Sequence, residues 1–164
     1  MQTTQQLTFL QEKIKEINSA IFFNLSDSVL KLPTSLVNTL KVDDFGYVWM
    51  FFKKPKQHLK EFENGFPVRL DYFKKGSSSF LQIMGKAWVV TDPEEVNDFK
   101  NLNETFDFSV LEDSVLVKVK MLKAEFYETP SRTKNTIWNN AVNMVTTLFR
   151  SPNHVGPGTY FPAS

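Results

Sequence analysis

The 164-residue chain has no cysteine, which removes disulfides, thiolate nucleophiles and cysteine-ligated zinc from consideration. Histidine is nearly as scarce. His58 and His154 are the two in the chain, and neither has an acidic neighbour at ligand-like spacing, so no metal site is expected. Charge of one sign is also lacking: 19 basic residues face 18 acidic ones, for a net charge of +1. Such a balance exerts no general pull on nucleic acid, so any anion site must be local. No apolar run approaches the roughly 20 residues of a membrane helix. The opening MQTTQQLTFLQEKIKE has neither the basic nor the apolar region of a signal peptide. A cytoplasmic protein with no membrane partner is therefore expected. Walker loops, nucleophile elbows and dinucleotide glycine fingerprints are missing too. A turn and a helix start explain the acidic pairs Asp43-Asp44 and Glu94-Glu95, which disfavours a glycosidase or protease. No catalytic residue is assigned.

Phenylalanine is what the chain has in quantity. Its 16 Phe, within an aromatic share of 14%, favour pleated sheet. Leu7, Leu10, Ile14 and Ile17 recur at spacings of three and four, which predicts a helix over 5–18. AIFFNLS, SVLKLP, TSLVNTLKV, GYVWMFF, FPVRLDYF, SFLQIMGKAWVV and SVLVKVKMLKAEFYE then read as strands separated by polar turns. In the last of these Val115, Val117, Val119 and Met121 share one face, with Lys118 and Lys120 on the other. Asp92-Pro93-Glu94-Glu95 supplies a capping oxygen, a first-turn proline and first-turn acids, a strong helix start. Six or seven strands without βαβ alternation predict a small antiparallel barrel over 19–128, since closure removes exposed edges. An apolar stripe through Trp138, Val142, Val145 and Phe149 predicts a last helix over 134–150. These elements make one domain, 1–150, and Pro152, Pro157 and Pro162 leave 151–164 as an irregular tail.

One stretch, YVWMFFKKPKQHLKEF, raises a chemical question. Pro55 suits the first turn of a helix over 55–64, yet Lys53, Lys54 and Lys56 crowd that positive pole. Either the corner is simply solvated, or it holds an anion, most naturally a phosphate, on backbone N–H groups and lysine side chains. His58 lies one turn further on. The mixture of aromatics and lysines also resembles a single-stranded nucleic-acid platform. Too little alternation to expose several rings, and the near-zero net charge, set that reading aside, so no nucleic-acid partner is expected.

The order of these pieces resembles the FMN-binding split barrels related to pyridoxamine 5′-phosphate oxidase, in particular the general stress protein branch. The resemblance runs through Trp49-Met50-Phe51-Phe52, a short helix, Pro67-Val68-Arg69-Leu70-Asp71-Tyr72, an apolar strand carrying Gly85-Lys86-Ala87, the helix start at Asp92, and the strand ending Glu125-Phe126-Tyr127. It implies a mainly β (α+β) fold: a six- to seven-stranded antiparallel Greek-key split β-barrel with short flanking helices. It also implies a homodimer with FMN in a groove between the chains, and a flavin-dependent oxidoreductase activity. The family's usual phosphate anchors are replaced. Leu32-Pro33-Thr34 stands for an Arg-Pro-Met, Phe52 followed by Lys53 stands where a Thr or Ser is usual, and Lys56 and His58 stand for the serine and lysine of a Ser-Pro-Lys. Basic character is redistributed, making Thr34, Lys53, Lys54, Lys56 and His58 the expected cofactor-binding residues. The alternative is a flavin-free homodimer that binds another anionic or aromatic ligand.

Overall fold

Alternation of side chains between two environments shapes almost every element. The structure is a computed structural model and describes residues 2–26, 32–56, 64–128 and 144–147. A helix, α1 (Gln2–Ile17), precedes strands β1 (Ser19–Asn24), β2 (Ser35–Val42), β3 (Tyr47–Lys53), β4 (Phe66–Phe73) and β5 (Ser79–Val89). Helix α2 (Pro93–Leu102) and a short 3₁₀ turn (Phe108–Leu111) lead to β6 (Ser114–Glu128) and β7 (Met144–Thr147). All neighbouring strands are antiparallel, in the order β3-β2-β1-β4-β5-β6-β7. An additional β3–β6 pairing closes the first six into a barrel. The sub-order β3-β2-β1-β4 is a Greek key, because the fourth strand returns beside the first. The expected split-barrel class is thus the observed one.

Helix α1 places Leu10 and Ile14, both fully buried, in the same core as the barrel interior. Burying such a side chain stabilises by about 1.5–3 kcal/mol. The Phe9 ring meets Phe126 edge-on at 5.2 Å. Asn18 ends the helix with φ +66, and its N–H donates to the Ile14 carbonyl at 2.7 Å, a left-handed cap that turns the chain into β1.

Strand β3 explains why six consecutive residues are apolar. Val48, Met50 and Phe52 point into the barrel, whereas Trp49 and Phe51 point outward beneath α2. Phe99 of α2 stacks on Trp49 at 4.9 Å and 26°, and Val90, Leu116 and Phe108 complete this outer layer. Helix α2 begins as expected: Asp92 is the N-cap, its Oδ1 accepting from the Glu94 N–H at 2.9 Å, with Pro93 in the first turn.

Strand β6 serves two neighbours in succession. Residues 114–120 pair with β3 and residues 123–126 with β7, while β5 runs along nearly the whole strand. Met84 faces Lys123 but Gly85 faces Met121, so Leu122 is an extra residue, a bulge. The bulge shifts the inward phase from Val115, Val117, Val119 and Met121 to Ala124 and Phe126.

Two expectations change. The helix expected over 134–150 is a strand at Met144–Thr147, hydrogen-bonded to the free half of β6 beyond the bulge; the rest of that segment lies outside the described residues. An open β6 edge offers a ladder of backbone partners, and Val145, Thr146 and Thr147 are β-branched. Of the strand expected in SVLKLP, Leu32 and Pro33 are irregular and 28–31 lie outside the described residues.

Candidate functional site

The barrel opens at one end. Strands β2 and β3 pair only through Thr39–Met50, Lys41–Trp49 and Val42–Val48, with Leu40 as an irregular extra residue. Beyond that point, residues 35–38 pair with β1 and residues 51–53 with β6. The start of β2 and the end of β3 therefore diverge, and this divergence is the split of the barrel.

Lys53, Lys54 and Lys56 sit at that end. Lys53 is the last residue of β3, opposite Ser114, and the Lys54 N–H donates to the Asp113 carbonyl at 2.7 Å. The turn is thereby fixed at its root. All three lysine side chains are exposed, and none makes a hydrogen bond or ion pair among the described residues. Thr34, just before β2, is at the same end and exposed, but no contact joins it to the lysines among the described residues. His58 and most of the helix expected over 55–64 lie outside the described residues. Strand β1 ends here as well, since Phe22 pairs with Ser35. Its terminal Asn24 accepts from the Ser26 N–H through Oδ1, while Asn24 Nδ2 is buried with no partner among the described residues. A buried donor and three exposed lysines, all without partners among the described residues and at one end of the barrel, suit an acceptor-rich anion.

Residues distant in sequence join this corner. Lys54 lines a cavity of about 210 Å³ together with Lys100, Glu112, Ser114, Phe51 and Phe108. Lys100 lies over the Phe108 ring at 5.8 Å. Neither Lys100 nor Glu112 belongs to the lysine run. They arrive from α2 and from the turn before β6, and no local pattern marks them.

A sequence profile of the pyridoxamine 5′-phosphate oxidase like proteins matches residues 5–148. The chain belongs to that family. No protein of curated function matches the chain in sequence. Its fold recurs in solved structures. A general stress FMN/FAD binding protein from Xanthomonas citri has a TM-score of 0.57 at 20% identity, over 80% of this chain and 94% of that one. A Clostridium acetobutylicum protein related to general stress protein 26 of B. subtilis, of the pyridoxinephosphate oxidase family, has 0.57 at 10%, over 88% and 95%. A candidate general stress protein 26 from Jannaschia sp. CCS1 has 0.57 at 16%, over 88% and 99%. At these identities the likeness is one of fold.

Elsewhere several polar groups are engaged in structure. Lys118 pairs with Glu95 on the outer face of the barrel. Lys120 donates to the Phe45 carbonyl; burial holds its pKa below the usual lysine value, against the opposing pull of Asp43. The Arg69 guanidinium lies 4.3 Å over the Phe23 ring, and its buried Nε is 3.2 Å from Asp71 Oδ1 without the alignment of a hydrogen bond. Among the described residues no three His, Asp or Glu side chains group as metal ligands, and no helix is long and apolar enough to cross a membrane.

Proposed function

We propose that the protein binds a flavin nucleotide, FMN, at the open end of the barrel and works as a homodimer in flavin redox chemistry. One observation carries the reading: three lysines within four residues, without partners among the described residues, stand at the split of a barrel of the pyridoxamine 5′-phosphate oxidase like family. Lys53, Lys54 and Lys56 would bind the phosphate, with Asn24 Nδ2, Thr34 and His58 as further donors. The similar Xanthomonas citri protein, described as FMN/FAD binding, supports a flavin as the ligand. Bound flavin supplies reversible one- and two-electron transfer; the lysines hold and orient it through its anionic end. A cysteine-free chain is consistent with the reducing cytoplasm.

A second reading, a flavin-free dimer holding another anion at the same corner, draws on the replaced anchors at Leu32, Lys53 and His58. FMN titration into ligand-free protein, followed by flavin fluorescence, separates the two. Saturable quenching is expected, and Lys53→Gln with Lys56→Gln should weaken it tenfold or more, at about 1.5–3 kcal/mol for a hydrogen bond to a charged group. Added salt should weaken it as well. No saturable quenching up to roughly tens of micromolar FMN, about 6–7 kcal/mol of binding, leaves the flavin-free reading.

A further inference from the structure

At the other end of β3 lies a second concavity of different chemistry. Its volume is about 320 Å³, within the range of small-molecule sites, and it lies between the turn before β3 and helix α2. Its aromatic wall is the stacked pair Trp49 and Phe99. Its rim carries Phe45 and Leu102, which are 73% and 75% exposed and among the most exposed large apolar side chains described. Single exposed apolar residues are ordinary; two of them framing one aromatic cavity are not.

The polar lining has a definite sign. Four carboxylates, Asp43, Asp44, Glu95 and Asp98, face one ammonium group, that of Lys41. Glu95 is paired with Lys118, and Asp43 is occupied by the N–H groups of Phe45, Tyr47 and the Trp49 indole. Asp44 meets only the neutral amide of Gln11, at 3.3 Å, and Asp98 has no partner among the described residues. Two carboxylates with no cation partner among the described residues, beside an aromatic and apolar wall, complement a cation that carries an apolar body.

We propose that this cavity is a binding site for a small organic cation: a primary or substituted ammonium on an aromatic or branched aliphatic group. The apolar body would pack between Phe45, Leu102 and the Trp49–Phe99 wall, with the ammonium toward Asp98 and Asp44. Trp49, the β3 residue of this cavity, stands four residues or roughly 13 Å from Lys53, and the cavity shares no lining residue with the one at the lysine corner, so the two sites are distinct and this one does not depend on flavin binding.

Three probes of one shape and different charge test it by calorimetry on the full chain: 2-phenylethylamine, 2-phenylethanol and phenylacetate. The amine should bind saturably, at least tenfold tighter than the alcohol, and phenylacetate should not bind. Asp44→Asn with Asp98→Asn, both exposed positions, should reduce the preference for amine over alcohol to less than threefold. Lys53→Gln with Lys56→Gln should leave amine binding unchanged. Amide chemical shifts of the unmutated protein on adding the amine should move at residues 43–45 and 95–102, a reading independent of any variant. No saturable amine binding by millimolar concentration, an alcohol bound as tightly as the amine, or shifts confined to other regions would each overturn the proposal.

Discussion

Gly85 stands against the Lys120 carbonyl so closely that a β-carbon on Gly85 would lie 2.2 Å from that oxygen and 2.9 Å from a Val119 methyl. The contact occurs at the Leu122 bulge, where β5 and β6 change register. Backbone cannot yield there as a flexible side chain would. Gly85→Ala should therefore destabilise by about 1–3 kcal/mol, the usual range for overpacking. Gly76→Ala carries a different cost: its added carbon meets nothing within 4 Å, but φ is +83 there, so any loss at Gly76 reports backbone strain and not a clash. Urea unfolding midpoints at equal m-values decide it; a Gly85→Ala midpoint equal to the parent's refutes the contact.

Tyr72 is fully buried in the core, and its hydroxyl shares a 2.6 Å hydrogen bond with Thr39. Burial pushes the phenol well above its ordinary pKa, and the Thr39 bond only partly opposes this. The folded state thus keeps the proton where the unfolded chain loses it. The stability from this group is fully present below about pH 10 and declines above it, by up to about 1.4 kcal/mol per pH unit. Tyr72→Phe should cost about 1–3 kcal/mol at neutral pH, because the Thr39 hydroxyl is left unpaired. It should also flatten the decline above pH 10 relative to the parent. Parallel pH curves for both proteins would refute the assignment.

Asp43 and Asp44 are adjacent acids with unequal roles. Asp43 accepts from the Phe45 and Tyr47 N–H groups and from the Trp49 indole, each at 2.9 Å, and so fixes the turn and the outward tryptophan together. Asp43→Ala should cost about 1.5–3 kcal/mol, the range for a hydrogen bond to a charged group, and shift Trp49 emission. Asp44→Ala should stay within about 0.5 kcal/mol. Equal losses at the two positions would show that the turn does not depend on the Asp43 carboxylate.

The proposed homodimer has an apolar surface to use. Leu36, Phe73 and Phe106 are exposed away from the cavity beside Trp49 and Phe99, in a chain whose aromatic share is 14%. Sedimentation at micromolar concentration should return about twice 19.0 kDa. A single species at the monomer mass would refute the dimer.

The elements most legible from sequence are those whose causes are local. Leu7, Leu10, Ile14 and Ile17 show the period of α1, and Asp92 with Pro93 marks the start of α2 within a residue. The inward valines of β6 were legible up to Met121, where a bulge that depends on Gly85 of another strand reverses the phase. Other features are set by the partner. Trp49 and Phe51 look like part of an ordinary apolar strand until α2 covers them. Met144–Thr147 falls on a helical stripe, yet the unfilled edge of β6 makes it a strand. At the site, the lysine run is visible in the sequence, whereas Asn24, Lys100 and Glu112 join its neighbourhood only through topology.

Closure of the barrel brings Tyr47 beside Lys120, the most distant partners in the β3–β6 ladder. A chain emerging from the ribosome holds β1 through β5 long before it holds the strand that seals them. In that interval β3 and β5 are both raw edges, each with a row of free N–H and C=O groups. Sealing is then a non-local event with a large loop to close, the kind that proceeds in milliseconds to seconds rather than microseconds. A truncation before Ser114 should not yield a smaller barrel, but a five-stranded sheet with two adhesive sides.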